Sequence, residues 1–284
     1  MTGMIIDAHE HAWTYEDELL WESQNTPSGC EYMVYTVEDV LARMDEHDID
    51  RTTLIATPIH GRGSPYTRHC LEAYPDTFYG VTLLDYFADD IAERVHKAFE
   101  YENHLGFRFG AFQQYGTLWG NRDDTADWIT SEGLLPFWEA LESHDDPQLQ
   151  VLLRPGQLTD LESVVATHPD VTFVIDHLAW PGREHKVEGE KYSRLASISE
   201  YSNVYMKITQ TASNEPYPFP DIHKYVRYAL EQFGSDRLLW GSDYIYHFTE
   251  TTFWESLHFL EKVPSLSTGD LRDLRYRTFE SIAI

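Results

Sequence analysis

Cysteine is nearly missing from this chain of 284 residues: Cys30 and Cys70 are the whole supply. Two thiols so far apart make neither a disulfide framework nor a zinc knuckle, which predicts a reducing, cytoplasmic setting. Basic residues are few. Lysine and arginine number 21 against 48 acidic residues, a formal net charge of -27. That balance excludes nucleic acid as a partner. Only six of the 21 are lysine. No apolar run approaches the ~18 residues of a membrane-spanning helix, so no membrane partner is expected. No basic stretch leads into an apolar one at the N-terminus, so no secretory leader is expected. There is no linker rich in proline, glycine or serine, no low-complexity tract, and no repeat beyond an alternation of short apolar segments with helical ones.

What the chain does have is apolar and aromatic bulk. Hydrophobic residues make up 42% and aromatic residues 14%, enough for a large core and unlike an acidic disordered protein. The acids are dispersed, as in Glu16-Asp17-Glu18, Asp89-Asp90, Asp123-Asp124 and Asp145-Asp146. Dispersed self-repulsion is tolerable when salt screens it. The composition therefore predicts adaptation to a high-salt cytoplasm. Nothing in it excludes a homo-oligomer.

The alternation is regular. Apolar segments near residues 5, 52, 78, 106, 149, 171, 204 and 238 have the length and β-branching of buried strands. Each is followed by a loop and a helical pattern. Thr36-Val37-Glu38-Asp39 carries a capping signature ahead of a stripe at Val40, Leu41 and Met44. Asp90 is placed to cap a helix with Ile91, Val95, Ala98 and Phe99 on one side. Eight such units predict one α/β domain over 1–284, a (β/α)8 TIM barrel, possibly distorted, with long loops on its top face. A doubly wound open sheet rarely needs eight.

In such a barrel chemistry collects where the strands end. The first strand reads Ile5-Ile6-Asp7-Ala8-His9-Glu10-His11. Alternation places His9 and His11 on one face, with Asp7 expected there too. The spacing suits two ligands of one divalent ion, or two donors aimed at one substrate. The other strand ends supply Arg108, Arg154, Asp176 with His177, Lys207, and Asp243. Trp13, Trp119, Tyr244 and His247 fall on presumed top-face loops. His60 and His69 read as ordinary.

Asp-x-His-x-His on strand one, Val174-Ile175-Asp176-His177-Leu178 with Pro181 after strand six, and Arg237-Leu238-Leu239-Trp240-Gly241-Ser242-Asp243 at strand eight resemble the amidohydrolase superfamily. The chain is most similar to its amidohydrolase-related (amidohydrolase-2) branch, which holds metal-dependent decarboxylases of aromatic acids and lactonases of sugar acids and pyrone-type lactones. Trp13 and the last two motifs look most like the lactonases. The resemblance implies a hydrolase that opens a small carboxylated lactone. Asp243 would be the general base toward water. His9, His11, Asp243 and His177 would be the ligands of one divalent ion, expected to be zinc, or the histidines would bind substrate with no metal. His177 would otherwise stabilise charge on the carbonyl oxygen. Arg108, Arg154, Lys207 and Trp13 would bind a small anionic substrate.

One departure bears on the chemistry. The branch's decarboxylases carry a metal-ligand histidine at the end of strand five, where this chain has Leu152-Leu153-Arg154. That favours ring opening over the alternative, single-metal decarboxylation. Strand four also lacks the lysine of a two-metal site.

Overall fold

The computed structural model describes residues 3–14, 34–56, 64–110, 127–182, 186–244, 251–264 and 266–283. Eight strands form one parallel sheet in sequence order: β1 (Ile6–Glu10), β2 (Arg51–Ile55), β3 (Phe78–Thr82), β4 (His104–Gly110), β5 (Gln148–Leu152), β6 (Thr172–Ile175), β7 (Val204–Ile208) and β8 (Leu238–Trp240). The sheet curls until its last strand meets its first. Just past β8, the Asp243 N–H donates to the His9 carbonyl at 2.8 Å. This is the barrel that the eight apolar segments predict.

Seven helices wrap the strands: α1 (Val37–His47), α2 (Pro65–Ala73), α3 (Ile91–Ala98), α4 (Leu135–Leu141), α5 (Leu158–Thr167), α6 (Leu195–Ile198) and α7 (His223–Phe233). In α1, Val40 and Met44 of the expected stripe are buried together with Val37 and Arg43, while Leu41 is only partly buried. Its capping acid works as expected: the Thr36 N–H donates to Asp39 Oδ2 at 2.9 Å. Asp90 does not cap α3. Its carboxylate is taken by Arg94 Nε at 2.7 Å instead, because a charge-assisted partner one turn on outcompetes a backbone N–H. After α8 (Phe253–His258), the chain ends in α9 (Thr268–Arg272) and α10 (Thr278–Ile282), joined by a π-helical stretch, Asp273–Arg277.

Two apolar layers follow from strand alternation. The outward residues of the strands, among them Phe107, Phe109, Val151, Phe173, Met206 and Trp240, pack under the helices. Inside the barrel, Ile6, Ala8, Ile55, Val81, Leu105, Val174 and Leu239 meet Phe279 of α10. Burying each such side chain is worth roughly 1.5–3 kcal/mol. That inner layer closes one end of the barrel, so the polar strand ends face the other. Gly106 permits the β4–β5 pairing: with φ of 151°, its missing Cβ would lie 1.9 Å from the Gln148 carbonyl oxygen.

His104 opens β4 and is fully buried. Its Nε2 lies 2.9 Å from Thr82 Oγ1, its Nδ1 has no partner among the described residues, and its ring packs on Phe99 and Phe107. Burial, with Arg68 and His144 nearby, lowers it from 6.5 to about 3. The unfolded chain therefore binds this proton more readily, so stability falls as pH drops below 6.5 and levels off near 3. Between pH 7 and 5 the His104 share is about 2 kcal/mol. His104→Gln keeps a partner for Thr82 and should shrink the pH 7-to-5 stability loss by that amount in denaturant melts.

Candidate active site

The histidine motif owes its geometry to an irregularity in β1. From Asp7 to Glu10, three residue steps in β1 match two in β2, so the strand is bulged. The bulge lets Ile6 and Ala8 stay in the inner apolar layer while His9 and His11 both reach the mouth. It also removes Asp7 from the histidine face, correcting the expectation from strict alternation. Asp7 Oδ1 instead accepts from the N–H groups of Ser242 (2.9 Å) and His9 (3.0 Å). Burial, reinforced by Glu10, pushes the Asp7 carboxyl well up.

The β8–β1 seam is tight. A Cβ on Gly241 would lie 2.6 Å from His9 Cβ, so the motif's glycine is required by close approach. Glu10 turns away from the mouth. Its Oε2 accepts from Ser242 Oγ at 2.9 Å and lies 2.9 Å from Arg43 Nη2. The Arg43 guanidinium stacks 4.8–4.9 Å from the rings of Tyr35, Tyr244 and Phe253. This ties the histidine strand to α1.

At the mouth, His9 Nε2 lies 3.2 Å from His11 Nε2, and Asp243 Oδ1 lies 3.0 Å from His11 Nε2 and 3.6 Å from His9 Nε2. His177 Nε2 stands 3.8 Å from Asp243 Oδ2. All four are buried. Thr211 Oγ1 donates to Asp243 Oδ2 at 2.6 Å, and His177 Nδ1 meets Thr209 Oγ1 at 2.8 Å. Burial pulls the Asp243 carboxyl up, but His177, the His11 hydrogen bond and His9 outweigh it and hold it well below the ordinary range. Burial lowers His177 to about 4. A carboxylate thus faces neutral imidazole.

The donor set suits a metal. His11 Nδ1 lies 2.6 Å from the Ile55 carbonyl, which can only accept. The ring therefore donates from Nδ1, and that bond aims Nε2 at Asp243 Oδ1, 3.0 Å away. A metal-ligating histidine is held in the same way, with the ion taking the place of the proton between nitrogen and carboxylate. His9, His11 and Asp243 bring one ligand atom each within 4.8 Å of one another. His177 falls in a second cluster, with His9 and Asp176.

Two expected substrate cations are occupied below the mouth. Arg108 Nε binds Asp176 Oδ2 at 2.9 Å. Lys207 Nζ lies 3.3 Å from Asp176 Oδ1 and 3.2 Å from His9 Nδ1, and also reaches Gln150 Oε1. Both are buried, because a carboxylate placed inside a barrel needs compensating charge. Burial raises Asp176, but Lys207 and Arg108 outweigh it and hold it well below the ordinary range. Burial lowers Lys207 to about 8. Trp13 is buried as well, bridged backbone to backbone with Tyr35. Arg154, just beyond β5, is half-buried, and its N–H donates to Gln157 Oε1 at 2.9 Å. Cys30, His60, Trp119 and His247 lie outside the described residues.

Sequence reading missed Thr209 and Thr211, which orient His177 and Asp243. Their signal was a Thr-x-Thr directly after β7, at the same alternation as His-x-His. It also missed a left-handed turn: His177, Leu178, Ala179 and Trp180 have φ of 50°, 55°, 57° and 38°, and Asp243 has 44°. Such backbone is costly outside glycine and tends to gather at functional sites. The Tyr192 hydroxyl secures the turn through the Leu178 carbonyl at 3.1 Å.

An amidohydrolase family model matches residues 6–276. The L-fucono-1,5-lactonase of Burkholderia ambifaria is 31% identical over 121 residues, 42% of this chain and 41% of that protein, so the match spans less than half of the curated relative. Among solved structures, the probable 2-pyrone-4,6-dicarboxylic acid hydrolase of Acinetobacter baumannii, with citric acid bound, aligns with a TM-score of 0.80 at 16% identity over 98% of both chains. An amidohydrolase of Burkholderia multivorans with zinc bound aligns at 0.78 and 20% identity over 99% of both. At these identities the likeness speaks to fold. With the family model covering nearly all of β1 through the π-helical stretch, the chain belongs to the amidohydrolase family.

Proposed function

We propose that this chain is a lactonase that hydrolyses the ring ester of a small lactone, with Asp243 as the base. The observation that carries the reading is the buried Asp243 carboxylate at the barrel mouth, 3.0 Å from one imidazole and 3.8 Å from another. The partial match to a fuconolactonase supports it, as does a strand five that ends in Arg154 rather than histidine.

His9, His11 and Asp243 would hold one divalent ion. Two imidazoles and a carboxylate suit zinc, the ion bound by the Burkholderia multivorans relative. When bound, such an ion draws electron density from a carbonyl oxygen or from water. Asp243 accepts a proton from water as the water oxygen bonds to the ring carbonyl carbon. Thr211 keeps that carboxylate aimed. The Thr209 hydroxyl donates to His177 Nδ1, which leaves the Nε2–H to donate to the carbonyl oxygen as it gains charge. The intermediate collapses, the ring C–O bond breaks, and the Asp243 proton passes to the departing alkoxide. One hydroxy acid forms and the base is restored.

Arg154, half-buried just beyond β5, is the side chain assigned to a substrate carboxylate. The net charge of -27 supports working at high salt in a cytoplasm.

Three outcomes are expected. In a lactone panel followed by acid release, Asp243→Asn should lower kcat by at least about a hundredfold with an unchanged melting curve. Near-normal turnover would contradict the role of Asp243, and carbon dioxide release from aromatic acids would favour decarboxylation. Arg154→Ala should raise KM for carboxylated lactones by roughly tenfold, a loss of about 1.4 kcal/mol, and leave neutral ones unaffected. Raising potassium chloride from about 0.1 to 2 M should raise Tm, since salt of this strength screens charges beyond about 3 Å.

A further inference from the structure

Lys207 is buried against Asp176, His9 and Gln150. It faces the side of His9 opposite the candidate metal cluster. Two groups compete there for His9 Nδ1: Lys207 Nζ at 3.2 Å and Asp176 Oδ1 at 3.5 Å. They demand opposite tautomers. A protonated lysine can only donate, so a bond from Lys207 makes Nδ1 the acceptor and puts the ring proton on Nε2. A carboxylate can only accept, so a bond to Asp176 puts the proton on Nδ1 and leaves the Nε2 lone pair free for a metal.

The hydrogen bonds favour the first state. Lys207 is hydrogen-bonded to His9 Nδ1 and to Gln150 Oε1. Asp176 Oδ1 is buried and has no aligned hydrogen bond among the described residues. With Lys207 donating to Nδ1, the proton on His9 Nε2 faces His11 Nε2 at 3.2 Å and Asp243 Oδ1 at 3.6 Å.

We propose that Lys207 sets the metal affinity of the mouth: by donating to His9 Nδ1 it turns a ring proton, rather than a lone pair, toward His11 and Asp243. Metal binding then requires His9 to give up the Lys207 bond and move its proton to Nδ1, where Asp176 Oδ1 receives it. The same ammonium lies between His9 and Asp176, so it also keeps an ion from the His9, Asp176 and His177 cluster. The site is one of weak, exchangeable metal. This inference rests on reading His9, His11 and Asp243 as metal ligands.

The test is zinc titration of chelator-stripped wild type, Lys207→Met and Lys207→Gln against a fluorescent competitor. Melting curves run in parallel, and Arg108 remains to pair Asp176 in both variants. The variants should bind zinc roughly 10- to 100-fold more tightly than wild type, and adding His9→Ala should abolish the gain. Histidine-ring 15N spectra of metal-free protein give a second readout, with His9 protonated at Nε2 in wild type and at Nδ1 in Lys207→Met. Folded variants with unchanged or weaker affinity beside a zinc-binding wild type would overturn the role of Lys207 and leave the metal reading intact. No zinc binding by any form would overturn both. A wild-type His9 already protonated at Nδ1 would overturn the tautomer argument alone.

Discussion

The bond from the Asp243 N–H to the His9 carbonyl, 2.8 Å long, belongs at once to the fold and to the site. It joins the last strand's exit to the first strand, and its two ends both belong to the His9, His11 and Asp243 cluster. Shifting that seam by one residue would put His9 in the apolar layer and lose the cluster. The surrounding residues fix it. Gly241 allows the approach, Asp7 holds the N–H groups of Ser242 and His9, and Glu10 carries the load outward to Arg43. This accounts for Asp-x-His-x-His and Gly-Ser-Asp being read together, although they stand at opposite ends of the barrel sequence.

A second constraint is the burial of carboxylates. Asp176 and Asp243 both sit where water is largely excluded, and an unpaired charge there costs several kcal/mol. The two are compensated differently. Asp176 is paired with two basic side chains, Arg108 and Lys207. Asp243 instead faces the imidazoles of His9, His11 and His177 and accepts a hydrogen bond from the Thr211 hydroxyl. Of the two carboxylates, the one proposed as the base is the one with no arginine or lysine paired to it among the described residues. In a chain with 21 basic residues against 48 acidic ones, committing two to the barrel interior indicates how firmly that interior must be held.

Strand count, order and ends were legible because a buried parallel strand needs a run of apolar, β-branched residues, and each such run here is isolated by polar loops. His9, His11, His177 and Asp243 were legible because they end those runs. Asp7 was misplaced because a bulge leaves no mark on alternation when both neighbours are apolar. Arg108 and Lys207 were read as substrate ligands from their strand ends alone, because a sequence does not show that both meet Asp176, two strands and one strand away. Thr209 and Thr211 were missed because hydroxyls carry function only through what they orient. The left-handed turn at His177–Trp180 was invisible for a related reason: none of its four residues is glycine, the usual sign of such backbone.

The central claim is that water, deprotonated at Asp243, attacks the carbonyl of a ring ester. Turnover of a lactone in 18O-enriched water tests it most directly. The account predicts one 18O atom per product, in the new carboxylate. Label in the freed hydroxyl, which would mean cleavage of the alkyl C–O bond, or carbon dioxide in place of a hydroxy acid, would contradict it.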